Sequence, residues 1–230
     1  MDDAKQLLGG FTQLAQSLAA APGEDARLKV AVDSAVDLVA RCDHAGMTIN
    51  QNGRLVTRAS TGDLVQRANV LQTELGEGPC LDVRRDQNTL VSTSLAVERR
   101  WALWAPRVHE ELKVDSMMSL LVYTDETSFG ALSLYCRDGC RFDADDVAVA
   151  QALAGHLSVV MAAEKQIDQL GLALHNRNII GQAQGVLMER FDMTADQAFD
   201  YLRRISSNSN RKVAVVAAEI ARTRRLPEVR

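Results

Sequence analysis

Apolar positions recur at helical spacing towards both ends of the chain and in short strand-like runs between them. An opening helix is predicted over Asp2–Ala20, closed by Pro22-Gly23. A second runs from about Glu24 to Ala40. There Val32, Val36 and Val39 recur at steps of four and three and form one apolar stripe. β-type runs follow at Ala45–Ile49 and Arg54–Ala59, joined by Asn50-Gln51-Asn52-Gly53. Asn-Gly between two such runs signals a hairpin, because both residues tolerate positive φ. Gly62–Leu75 reads as helical or irregular, and Leu75–Cys80 as a loop. A third strand is predicted at Thr89–Ser92 and a helix at Trp101–Leu112. Two longer strands, Met117–Thr124 and Gly130–Cys136, follow with a turn between them. Asp143 is the predicted N-cap of the next helix, and Asp145 and Asp146 occupy its first turn, where the helix dipole favours acids. This order predicts an α+β domain, a central antiparallel sheet with helices packed against it.

From Ala144 to about Arg190 only isolated glycines oppose a helix. Leu153, Leu157, Val160, Ile167, Leu170 and Leu174 fall near one line, a seam like that of a coiled coil. If continuous, the helix is roughly 70 Å long, and pairing of two copies would bury the seam. The alternative is a break near Gly171 with two ordinary helices. A three-helix pattern closes the chain. Ile180, Ala183 and Leu187 share a face, and Gly181, Ala183 and Gly185 are small enough to admit a neighbouring helix. Thr194-x-x-Gln197 is a capping box. The second helix buries Ala198, Leu202 and Ile205, and Ser206-Ser207-Asn208-Ser209-Asn210 forms the next turn. The third helix spans about Arg211–Arg222. At about 100° per residue, Arg211 and Arg222 fall about 20° apart and point to solvent, opposite Val213, Val216, Ala217 and Ile220. Phe191 and Phe199 are expected in the core. Tyr201 is read as a packing residue in preference to a stacking one, and Arg224 and Arg225 as part of a flexible tail.

Composition fits a globular protein: 47% hydrophobic and 24% charged residues over 230 positions. No run of eighteen apolar residues occurs, so no membrane span is expected. Met1-Asp2-Asp3 is acidic where a signal peptide is basic, which points to the cytoplasm. Cys42, Cys80, Cys136 and Cys140 lack metal-ribbon spacing and are expected to be reduced thiols. The net charge of −4 hides an asymmetry. Residues 1–166 carry net −7, residues 167–230 net +3, and residues 201–230 alone net +6. A basic end on an acidic chain suggests a polyanionic partner, although outward charge on a bundle also serves solvation. Asp200, four residues before Arg204, is expected to pair with it. Catalytic signatures are thin: no GxSxG, HExxH or Walker loop occurs. No metal or cofactor is expected, and the chain is read as a non-enzyme.

Two resemblances sharpen this reading. The element order, the closing Phe-x-x-x-Asp helix and the loop Gly76-Glu77-Gly78-Pro79-Cys80-Leu81-Asp82 resemble a GAF domain over about residues 24–165, with residues 1–23 an added helix. That resemblance implies a sensor fold, with either a small-molecule ligand or a ligand-free role in dimerisation. The run Asn176–Met188, then Ala198-Phe199, Leu202-Arg203, Ser206, Asn210-Arg211-Lys212 and Val216-Ala217, resembles an ANTAR domain within residues 166–230. ANTAR membership implies a dimer that grips paired hairpin loops in a nascent transcript, so that the overlapping terminator does not form. Under that resemblance Arg177, Arg203, Arg204, Arg211 and Lys212 are candidate phosphate contacts, while Ser206, Ser207 and Asn210 bond bases or backbone, or simply cap helices. Two rivals stand beside it: a ligand- or redox-responsive signalling dimer that binds protein, and a GAF-fold thiol reductase acting on a small sulfoxide, built on Cys80 with Cys42.

Overall fold

The computed structural model describes residues 2–51, 54–86, 89–124 and 128–225. The chain divides into two compact units, Met1–Ala163 and Glu164–Arg230. In the first, α1 (Asp2–Ala20) and α2 (Gly23–Leu38) precede β1 (His44–Gln51) and β2 (Arg54–Ser60). Next come α3 (Asp63–Leu75), α4 (Pro79–Asp86), β3 (Thr89–Ser92), α5 (Trp104–Leu112), β4 (Val114–Thr124) and β5 (Ser128–Arg137). The five strands form one sheet in the order β2-β1-β5-β4-β3. Every neighbouring pair is antiparallel. Gln51 pairs with Arg54, as a two-residue hairpin link requires. The link itself, Asn52-Gly53, lies outside the described residues, as does the 125–127 connection between β4 and β5.

The period-two alternation of the central strands builds two cores. Leu132, Leu134, Met118 and Leu120 face one side, against Leu14 and Leu18 of α1, Leu28 and Val32 of α2, and Leu153 and Leu157 further along the chain. Ala131, Tyr135 and Met117 face the other, against Val65 and Leu71 of α3, Cys80 and Val83 of α4, and Trp104 and Val108 of α5. A sheet covered by helices on both faces is the predicted α+β architecture.

Part of the predicted loop 75–80 is helical: Pro79 opens α4. Pro is tolerated there because the first helical N–H has no partner within the helix. Gly78 has φ 144°, and a Cβ on it would collide with the Gln72 side chain. Gln72 Oε1 accepts the Cys80 N–H at 2.8 Å, Glu77 accepts the Trp104 N–H at 2.7 Å, and Asp82 accepts the Trp101 indole N–H at 2.9 Å. The Gly76–Asp82 motif thus locks α3, α4 and α5 together. The helix predicted from Trp101 starts at Trp104, and β4 and β5 outrun their predicted ends.

The reduced state expected of all four cysteines holds for two. Asp138 and Gly139 have φ of 55° and 77°, and the turn brings Cys136 and Cys140 into a disulfide with their Cα atoms 5.7 Å apart. Cys42 and Cys80 are free and buried.

The long helix α6 is a single element, Ala144–Phe191, without a break at Gly171. Asp143 caps it by accepting the Asp145 and Asp146 N–H groups at 3.0 Å. Arg41 ties this start to the end of α2 through Asp146, at 2.8 Å. The predicted seam is not one surface. Leu153 and Leu157 are buried in the sheet unit, whereas Ile167, Leu170 and Leu174 are 69%, 63% and 54% exposed. By length and composition α6 is apolar enough to cross a membrane, which a scan for uninterrupted apolar runs overlooks. Its first part, however, is built into the sheet core and its last part into the core of the second unit.

Candidate nucleic-acid interface

In the second unit, the end of α6 packs with α7 (Ala195–Ser209) and α8 (Val213–Thr223). Ala183 and Leu187, Ala198, Leu202 and Ile205, and Val216, Ala217 and Ile220 form the shared core. These are the three- and four-residue steps predicted for each helix. The capping box forms as expected: Thr194 Oγ1 accepts the Gln197 N–H, and Gln197 Oε1 accepts the Thr194 N–H at 2.9 Å. Gln184 Nε2 donates to the Ala195 carbonyl at 2.9 Å and ties α6 to the start of α7. Gly181 and Gly185 have nothing within 4 Å of a Cβ position among the described residues, so no described helix uses their small size.

The inward core sends the cations outward, but not uniformly. Arg203 and Arg204 are exposed on α7. Asp200 pairs with Arg203, at 3.7 Å, instead of the expected Arg204. Arg204 lies over the Tyr201 ring, 5.2 Å from its centroid, and this contact replaces the ion pair. Arg211 is not in the third helix, which begins at Val213 with Lys212 as its N-cap. The Arg211 guanidinium pairs with Glu219 at 2.6 Å and is half-buried. Lys212, Arg177 and Arg222 are exposed and form no ion pair among the described residues.

Asn210 is the C-cap of α7 in the left-handed region, φ 50°. Ser206 donates to the Arg211 carbonyl, and the backbone between the two is also bonded. Ser206 and Asn210 therefore shape the α7–α8 turn, while Ser207 is exposed. A groove of about 450 Å³ brings together Arg203, Arg204, Ser206 and Ser207. Asn210, Arg211 and Lys212 follow in the adjoining turn, and Arg177 lies apart on α6. Arg224 is the C-cap of α8, and its carbonyl accepts from the Arg190 guanidinium, so it is not tail. Phe191 and Phe199, expected in the core, are 41% and 38% exposed. Their neighbours Leu187, Ala198 and Leu202 already fill the bundle core. A second groove, about 560 Å³, is lined by Phe191, Tyr201 and Arg204 with Asp192 and Asp200. Tyr201 is partly buried against the bundle core, as expected, whereas Phe191 is exposed where helical periodicity predicted burial.

The chain matches the ANTAR domain over residues 168–220 and a GAF domain over residues 21–162. It belongs to the GAF family and carries an ANTAR domain. No curated protein matches it. The GAF domain of a phosphoenolpyruvate-protein phosphotransferase from Coxiella burnetii is similar at 20% identity and TM-score 0.56. That alignment covers 72% of this chain and 98% of that one. The corresponding Acinetobacter GAF domain has 16% identity and TM-score 0.54, covering 71% and 98%. The Stigmatella aurantiaca phytochrome photosensory core module has 12% identity and TM-score 0.59, covering 93% and 45%. At these identities the likeness is one of fold. ANTAR domains are RNA-binding antiterminator modules and GAF domains are sensors, so the pairing is a regulatory architecture.

The sheet unit holds a second polar assembly. Asn69 Nδ2 donates to Thr48 and Thr57, at 2.6 and 2.8 Å, and Gln72 donates to Asn69 at 3.0 Å. The Cys80 thiol lies 3.4 Å from the Ser133 hydroxyl. Burial pushes the Cys80 thiol above its ordinary pKa and the Cys42 thiol up to about 12. Thiol reduction needs the opposite, an accessible thiolate. Cys42 and Cys80 also belong to the cores on opposite faces of the sheet, so neither resolves the other.

Proposed function

We propose that this chain is a transcription antiterminator. Its ANTAR domain binds paired hairpin loops of a nascent mRNA under the control of its GAF sensor domain, and it works in the cytoplasm as a homodimer. The observation that carries this reading is the outward display of Arg203 and Arg204 on one groove of the matched ANTAR bundle, with Lys212 exposed in the adjoining turn. Guanidinium and ammonium groups there hold phosphates, and Ser207 offers a hydroxyl to the backbone or a base edge. Arg211 contributes through the α7–α8 turn as well as through charge, because Glu219 already neutralises it. Arg177 extends the cationic surface along α6. The exposed Ile167, Leu170 and Leu174 repeat at three and four residues, the spacing at which two copies pair along a seam.

Gel shifts with tandem stem-loop RNAs across a salt series test the reading. Wild type is expected to bind, with affinity falling steeply as salt rises. Arg203→Ala, Arg204→Ala and Lys212→Ala should each weaken binding and flatten the salt slope by roughly one. A folded wild-type protein that ignores stem-loops at low salt refutes the proposal.

A further inference from the structure

We propose that the groove between the α6–α7 connector and the outward stripe of α7 takes one unpaired nucleobase of the bound RNA, stacked on Tyr201. The base is of the kind that carries an exocyclic amino group. The inference rests on the RNA-binding reading and assigns a site and a base class within it.

Three observations converge. Gln197, Tyr201 and Arg204 follow one another on α7 at steps of four and three, with Asp200 beside them, so one helix face carries the whole wall. Phe191 lines the same groove and stands 41% exposed although the bundle core is complete without it. Each aromatic ring has its own guanidinium: Arg204 lies 5.2 Å from the Tyr201 centroid and Arg190 lies 5.8 Å from that of Phe191. An aromatic–arginine pair is a stacking platform, because both components present a flat face to a base.

Charge then selects what enters. Asp192 and Asp200 line the groove, and a phosphate beside two carboxylates is repelled. The backbone is therefore held outside, on the adjoining groove of Arg203, Arg204 and Ser207, which shares Asp200 and Arg204 with this one. With the backbone there, the base points inward. A carboxylate only accepts hydrogen bonds, so it favours the amino-bearing edges of adenine, cytosine or guanine over the carbonyl-flanked edge of uracil.

The test uses the full chain and a pool of stem-loop RNAs with randomised loops, followed by binding to the selected hairpin. Wild type should enrich loops in which one position is depleted of uridine. Tyr201→Leu should bind the selected hairpin about five- to 100-fold more weakly with an unchanged circular dichroism melting curve, which separates stacking from a folding defect, and Tyr201→Phe should restore binding. Asp192→Asn with Asp200→Asn should bind but lose the bias against uridine. The site is refuted if wild type selects loops and no position disfavours uridine, or if Tyr201→Leu binds like wild type. If wild type enriches no loop at all, the RNA-binding reading falls and this site falls with it.

Discussion

The guanidinium of Arg211 is held 2.6 Å from Glu219, while the side chain of the next residue, Lys212, is exposed. Both were equivalent cations in the sequence. What separates them is the start of α8 at Val213, which places Arg211 in the turn, within reach of the second turn of that helix. The same kind of local competition decides Asp200, which pairs with Arg203 because Arg204 is taken up by the Tyr201 ring. Among the cysteines, the turn at Asp138-Gly139 closes Cys136 onto Cys140, and burial keeps Cys42 and Cys80 protonated and inaccessible. Protein purified without reductant is therefore expected to show two reactive thiols in denaturant, four after prior reduction, and almost none when native at pH 8. A titration with an aromatic disulfide reads this directly, and four thiols in denaturant without reduction would rule out the Cys136–Cys140 bond.

Helices with strong local signals behave as their sequences say. The Thr194/Gln197 capping box, the apolar stripes of α7 and α8 and the Asp143 cap of α6 are all legible from residues three or four apart. Thr194→Ala removes one half of the capping box, and the expected loss is about 0.5–2 kcal/mol in the second unit's stability. Chemical denaturation followed by helical circular dichroism measures it, with Thr194→Ser, which retains the hydroxyl, as the control close to wild type. Elements whose signal lies in distant partners were less legible. Pro79 and Cys80 read as loop until Gln72 is seen to accept the Cys80 N–H and Asp82 that of the Trp101 indole, and α5 begins only where Glu77 accepts its first N–H groups.

Across the whole molecule, each unit has its own closed core, and α6 contributes residues to both. Between those two commitments the helix carries Ile167, Leu170 and Leu174 exposed on one stripe. Such a stripe is buried when a second copy pairs along it. In the proposed homodimer, replacing Ile167 and Leu174 together by Lys should give a monomer at micromolar concentration where wild type is a dimer. Light scattering reads the mass, and an unchanged circular dichroism spectrum shows that both cores survive. A wild-type monomer would refute the homodimer, and a dimer untouched by the two lysines would place the contact elsewhere.

Short-range order belonged to the sequence. Periods of two and 3.6, the Asn-Gly link, the caps and the charge gradient together prescribed an α+β sheet domain and a cationic three-helix end, because each is set by residues within a few positions of one another, while the unbroken run of the long helix through Gly171 was left open. Tertiary structure decided the fate of each chemical group, because burial and pairing depend on residues that only the fold brings together. It buried Leu153 and Leu157 while leaving Ile167 exposed, neutralised Arg211 while leaving Lys212 without an acid among the described residues, and turned Phe191 outward beside Tyr201.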